Sequence, residues 1–175
     1  MSILIVSAPV EAPPVVAALL ANLGSWFAAR SIRWRALSVA SPGISEEIVA
    51  AKALVLVGGD QEASALGARL EGLPADSLAG KPFLWIGLST PPVAGDVTHA
   101  RLWYALQVAG VEIHIKPALF DDWNRSVPAL QPRDEARLDD ALIALGEGIS
   151  FCQRLQRKRD SLSLALRFAQ APLLA

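Results

Sequence analysis

Cysteine is almost missing from this chain: Cys152 stands alone among 175 residues. An internal disulfide is thereby excluded, and a reducing compartment is the compatible setting. Histidine is nearly as scarce, with two residues, so a His/Cys zinc site of the usual ligand spacing is excluded as well. Charge of one sign is not in excess: 16 basic residues stand against 17 acidic ones. Such a balance creates no field of the kind that recruits nucleic acid or a membrane surface. A run of about 18 apolar residues is also lacking, so the length criterion for a transmembrane helix is not met. The opening Met1-Ser2-Ile3-Leu4-Ile5-Val6 has no basic n-region and soon breaks into Pro9 and Glu11, so it reads as a first strand and not as a secretion signal. A cytoplasmic protein without nucleic-acid or membrane partners is the expectation.

What is present is apolar. Hydrophobic residues make up 53% and charged ones 19%, a composition that buries a core instead of staying disordered. The length suits one domain over residues 1–175, with an apolar C-terminal extension at 160–175. The chain is organised around Ala53 to Thr90. Ala53-Leu54-Val55-Leu56-Val57 ends at Gly58-Gly59-Asp60-Gln61, a helical stretch follows to Leu73, and Phe83-Leu84-Trp85-Ile86-Gly87-Leu88 ends at Ser89-Thr90. That is strand, glycine turn, helix, strand. Continuously apolar strands are those of a parallel sheet covered by helices on both faces.

Three further strands are predicted around this unit. Ile3–Ser7 is short and fully apolar, and a helix from about Val15 to Arg30 follows Pro13-Pro14, which suit a helical first turn. Ile32-Arg33-Trp34-Arg35-Ala36-Leu37 alternates, as does Val111-Glu112-Ile113-His114-Ile115-Lys116, and alternation with charge belongs to edge strands. Between them a short helix is expected with Ser45 as its cap, and another from about Val97 to Ala109, capped by Asp96 and stopped by Gly110. Residues 117–131 read as irregular, and a helix from about Arg133 to Arg159 carries Leu138, Leu142, Leu145, Ile149 and Cys152 on one face. The apolar tail beyond it reads as burial against another subunit or the domain's own flank. Right-handed crossovers with alternating strands at the edges give a five-stranded parallel sheet in the order 2-1-3-4-5, in a three-layer α/β/α arrangement. Its switch point lies between strands one and three, so the loops after Ser7 and Val57 share a crevice, with Ser89-Thr90 alongside.

From Ala53 to Leu145 the chain resembles the NAD(P)H-dependent FMN reductases of flavodoxin-like fold. The resemblance rests on the third strand, on Gly67-Ala68 and on Leu78-Ala79-Gly80-Lys81-Pro82. It continues through Leu106-Gln107-Val108-Ala109-Gly110-Val111, Ala118-Leu119-Phe120-Asp121-Asp122 and Arg137-Leu138-Asp139-Asp140-Ala141-Leu142. It implies FMN as cofactor, NAD(P)H as hydride donor and a homodimer or homotetramer. It also places Ser7, Gly58, Gly59, Asp60, Gln61, Ser89 and Thr90 at the flavin. Three departures stand beside it. The phosphate loop is Ser7-Ala8-Pro9-Val10-Glu11-Ala12-Pro13-Pro14, in which prolines remove N–H donors and Glu11 opposes a dianion. The family's Pro-x-Tyr falls on Gly59-Asp60-Gln61, and its Gly-Gly loop on Gly87–Pro92. A flavin-less relative serving as a binding or assembly subunit is therefore the alternative.

Other residues carry weaker signals. Gly58–Gln61 also suits any strand-to-helix turn, and Ser89-Thr90 any strand end. His114 reads as solvated on the polar face of an edge strand, and His99, near a helix start, has no Ser or Cys nucleophile frame beside it. Asp121-Asp122 reads as a surface loop, and Arg154, Arg157, Lys158 and Arg159 as a solvated helix end. Of the five tryptophans, Trp123 alone falls in a predicted loop, where it suits contact with a partner or a flavin.

Overall fold

The computed structural model of the chain describes residues 2–7, 14–88, 95–111, 113–120 and 132–169. Strand β1 (Ser2–Ser7) lies inside a parallel sheet, between the edge strand β2 (Arg33–Ser38) and the central β3 (Ala53–Gly58). β3 pairs with β4 (Pro82–Leu88), so the order begins 2-1-3-4 as expected. The fifth position is shared. Ile113–His114 (β5) pairs with Pro82 and Phe83, while Ala118–Phe120 (β6) pairs with Ile86 to Leu88. Residues 118–120 are thus a strand, contrary to the irregular segment expected there. The edge is broken between them at Pro117, which has no N–H to give to a ladder; just before it the Ile115 N–H still reaches the Phe83 carbonyl at 3.1 Å.

The interior strands behave as their composition requires. Every residue of β3 is buried, and so is all of β4 up to Gly87. The edge strand β2 exposes Arg33, Trp34 and Arg35, and Arg35 forms an ion pair with Glu47. Among the described residues five helices cover the two faces: α1 (Pro14–Ala29), α2 (Ile44–Ala50), α3 (Asp60–Glu71), α4 (Gly95–Val108) and α5 (Pro132–Ala169). α1 and α5 pack on one face, with Leu19, Leu23, Phe27, Leu138, Leu142 and Leu145 meeting Ile5, Val55 and Ile86. α2, α3 and α4 pack on the other, around Leu4, Leu56, Phe83 and Trp85.

The helix ends differ from expectation in three places. Ser45 lies inside α2; the N-cap is Gly43 in the left-handed region at φ 73°, with no side-chain cap. α4 begins at Gly95, which puts Asp96 within the helix. α5 does not stop near Arg159 but continues to Ala169, so residues 160–169 of the tail prolong the helix. Gly110 does end α4: at φ 88° it turns the chain so that its N–H meets Gln107 at 3.0 Å and the Val111 N–H meets Leu106 at 2.9 Å. Ser31 closes α1 in the same manner at φ 54°, with Ile32 bonded back to Phe27.

Candidate functional site

The crevice expected at the switch point begins with the register of β1 and β3. Ser7 pairs with Ser38 on one side and with Val57 on the other, so the carboxyl ends of three strands finish level. Gly58, one residue beyond, pairs with Gly87 of β4. Ser7 is buried, 5% exposed, and its carbonyl accepts the Val39 N–H at 3.1 Å, which ties the start of the loop after β2 to the end of β1. The neighbouring Ser38 hydroxyl accepts the Ala40 N–H at 3.2 Å and closes that turn.

The glycine turn after β3 opens α3. Gly59 is the N-cap, with extended backbone, and Asp60 is the first helical residue and not the cap. A glycine cap has no side chain to offer, and Glu62 supplies what is missing. Its Oε2 accepts the Gly59 N–H at 2.8 Å, the carboxylate half of a capping box, while the Gly59 carbonyl accepts from Ala63 at 3.1 Å. Sequence reading passed over Glu62, although its position three residues into a helix start is the capping-box signal.

Both glycines of the turn are needed by close approach. A Cβ on Gly58 would lie 2.7 Å from the Glu62 Cβ, and one on Gly59 would lie 3.0 Å from the Leu88 carbonyl oxygen. The Gly58 carbonyl accepts the Trp85 indole N–H at 3.1 Å in a buried contact. Leu119 of β6 closes over Gly87, where an added Cβ would meet its Cδ2 at 2.5 Å. Thus Ser7, Gly58, Gly59 and Asp60 do converge at one end of the sheet, with Gln61 exposed at the rim. Ser89, Thr90, Trp123, Asp121, Asp122 and the loop from 8 to 13 lie outside the described residues. Two hollows lie elsewhere, one of about 1080 Å³ between α1 and α5 and another of about 470 Å³ beside Pro117 and Leu119.

An FMN site can be tested against these groups. The isoalloxazine carries carbonyl oxygens that need N–H donors. The amides of Asp60, Gln61 and Glu62, in the first turn of α3, have no intrahelical acceptor. The Gly59 amide is already engaged by Glu62. The described part of the crevice therefore offers the N–H groups of Asp60, Gln61 and Glu62 to a ligand's acceptor oxygens, with that of Gly59 held by a carboxylate. Among the described residues no group of three or more His, Cys, Asp or Glu is placed to hold a metal ion.

No protein-family model matches the chain, and no curated protein sequence does. Solved structures do. Oxidised flavodoxin 2 from Bacillus cereus superposes with a TM-score of 0.63 at 18% identity, over 84% of this chain and 99% of that one. The fold is flavodoxin-like. The apo form of the NADH:FMN oxidoreductase EMOB matches with a TM-score of 0.57 at 19% identity, over 86% of this chain and 87% of that one. RosB, crystallised with the bound intermediate 8-demethyl-8-formylriboflavin-5'-phosphate, matches with a TM-score of 0.60 at 11% identity, over 100% and 90%. Identities this low establish the shared fold. No helix among the described residues is long and apolar enough to cross a membrane.

Proposed function

We propose that the protein binds FMN at the carboxyl ends of β1 and β3 and works as an NAD(P)H-dependent oxidoreductase of the FMN reductase type. One observation carries this reading: Ser7 and Val57 finish level at the switch point, and the glycine turn opens the first turn of α3 over them. Flavin and flavodoxin proteins in the same fold, by their own descriptions, support the choice of ligand. When bound, the flavin supplies the redox chemistry, taking hydride from the nicotinamide and passing electrons on. The chain's part is to bind and orient. The α3 amides of Asp60 to Glu62 hold ring oxygens, the absence of side chains at Gly58 and Gly59 keeps the turn tight, and buried Trp85 supports its floor. No side chain has to act as acid or base. Titration of the protein with FMN, followed by flavin and tryptophan fluorescence, tests binding; oxidation of NADH and NADPH in its presence tests turnover. Saturable quenching in the micromolar range is expected, and no binding at millimolar FMN overturns the reading.

A second reading is favoured by a specific observation. The Gly59 N–H is donated to Glu62, the Gly58 carbonyl accepts from Trp85, and Leu119 covers Gly87, so polar groups and space of the site are used by the chain itself. A flavin-less module serving as a binding or assembly subunit needs no more than that. The same titration separates the two.

A further inference from the structure

α5 is far longer than the sheet it covers. At 1.5 Å per residue its 38 residues span about 57 Å. Up to Ser163 the last buried residue is Cys152, and Leu155 is half-buried; every other residue from Gln153 to Ser163 is exposed. The helix nevertheless continues to Ala169, roughly 26 Å beyond Cys152. An exposed helical stretch such as that from Gln153 to Ser163 gains little from the core and is marginal in water on its own.

The outer side of α5 carries a pattern. At 3.6 residues per turn, Ile143, Glu147, Phe151, Arg154, Lys158 and Leu162 fall within an arc of roughly 100°. Leu138, Leu142, Leu145, Ile149 and Cys152, which face the core, occupy the opposite side. Three of the six are large exposed hydrophobics: Ile143 at 51%, Phe151 at 46% and Leu162 at 65%. Their order is acid, aromatic, then two cations, with an aliphatic residue at each end. Read against itself in the opposite direction, this stripe is complementary. With a two-fold axis between Cys152 and Gln153, Ile143 meets Leu162 of the partner subunit, Glu147 meets Lys158 of the partner subunit, and Phe151 meets Arg154 of the partner subunit. These are an aliphatic contact, an ion pair and a cation–π contact, each made twice.

The axis chosen by charge and shape falls where the buried stretch of α5 gives way, after Cys152, to the exposed arm that runs to Ser163, an independent observation. It lays each arm along the segment of the other α5 that covers its own core. Beside that segment runs the groove of about 1080 Å³ between α1 and α5, lined by Trp26, Arg30, Ile32, Ile143, Glu147 and Phe151. The two features match, a stretch exposed from Gln156 to Ser163 and a groove of apolar and charged side chains.

We infer that a second copy of this chain covers α5, the two helices packing antiparallel about an axis between Cys152 and Gln153, with each arm seated in the other's groove. This surface is independent of the crevice at the switch point. Sedimentation velocity over a concentration series tests it. The wild-type protein is expected to be a dimer, and Leu162→Asp a monomer. Glu147→Lys and Lys158→Glu each set like charges together twice, and each is expected to weaken the dimer by about tenfold or more. The doubly exchanged protein restores it. Far-ultraviolet circular dichroism checks that each variant stays folded, as expected for exposed positions. Should Leu162→Asp unfold the arm, the charge exchange decides alone. A monomeric wild type, a dimer indifferent to these changes, or an exchange that fails to restore association overturns the proposal.

Discussion

On one face of the sheet α2, α3 and α4 close over nineteen buried apolar residues, and on the other α1 and α5 close over nineteen more, counted among the described residues. The difference lies at the margins. On the first face the ends of elements are tied back: the Lys81 ammonium reaches carbonyls at the end of α2, the Leu78 N–H meets the Ala109 carbonyl at 2.7 Å, and Gly110 folds the end of α4 over Asp76. On the second face α5 runs on from Cys152 into a stretch exposed as far as Ser163, and a groove stays open beside it. Equal cores do not make equal surfaces. A face whose helix ends are satisfied is closed, and a face whose helix outruns its core is left with surface to share.

The largest effects test whether the two cores are equivalent. Phe27→Ala on the α5 side and Phe83→Ala on the α2 side each empty a fully buried site, and each is expected to cost about 3–5 kcal/mol. Urea denaturation reads both as lower midpoints at unchanged slope. A gap wider than that range would mean that one face carries most of the stability and would break the comparison.

A smaller effect probes how α1 sits on the edge strand. A Cβ on Gly24 would lie 2.5 Å from Cζ2 of Trp34. Overpacking of this kind costs about 1–3 kcal/mol, against which alanine returns about 1 kcal/mol of helix propensity. Gly24→Ala is therefore expected to destabilise, and to become neutral or stabilising in a Trp34→Ala background, where the clash is gone. Equal effects in both backgrounds would show that Trp34 does not hold α1 in place.

How far the sequence carried can be judged from particular residues. The strand order was legible because Ala53–Val57 and Phe83–Leu88 are unbroken apolar runs while Arg33 and Arg35 interrupt theirs. Burial decides strand position, and composition reports burial. The broken edge was not legible, since one proline at 117 separates two short pairings that only the partner strand defines. The length of α5 was missed because the basic run from Arg154 to Arg159 suits a helix terminus, whereas the helix continues past it through Leu162 to Ala169. At the site, convergence of Ser7 with the glycine turn followed from topology alone. The role of Glu62 did not, because which carboxylate reaches which amide depends on where its side chain lies.

Glu62 gives the next prediction, of mixed sign. Glu62→Ala removes the acceptor of the Gly59 N–H, and loss of such a cap costs about 1 kcal/mol. The same change frees a donor in the crevice and removes a negative charge beside it, so affinity for FMN is expected to rise while thermal stability falls. Fluorescence titration and melting curves on the same sample measure both. If affinity falls with stability, Glu62 contributes to ligand binding directly and does not compete with it.

The smallest effect returns to the closed face. Lys81 is half-buried below α2, donating to the Ile48 carbonyl at 3.5 Å and to that of Val49. Burial, and next the like charge of Lys52, hold its pKa below the ordinary 10.5. A depressed lysine is harder to protonate in the folded chain than in the unfolded one. Below the depressed value both states carry the proton and the penalty is full and constant. As pH rises from there toward 10.5 the folded state gives up its proton first, the unfolded state binds more, and stability rises through that window. Lys81→Met keeps an apolar stem and has nothing to titrate. The stability of the wild type relative to Lys81→Met should therefore climb with alkalinity and stay flat around neutrality, as read from urea midpoints at a series of pH values. A relative stability that falls with alkalinity would mean that the ammonium's bonds to the α2 carbonyls outweigh its burial. The end of α2 would then be held by charge, and the closed face would owe part of its closure to one cation.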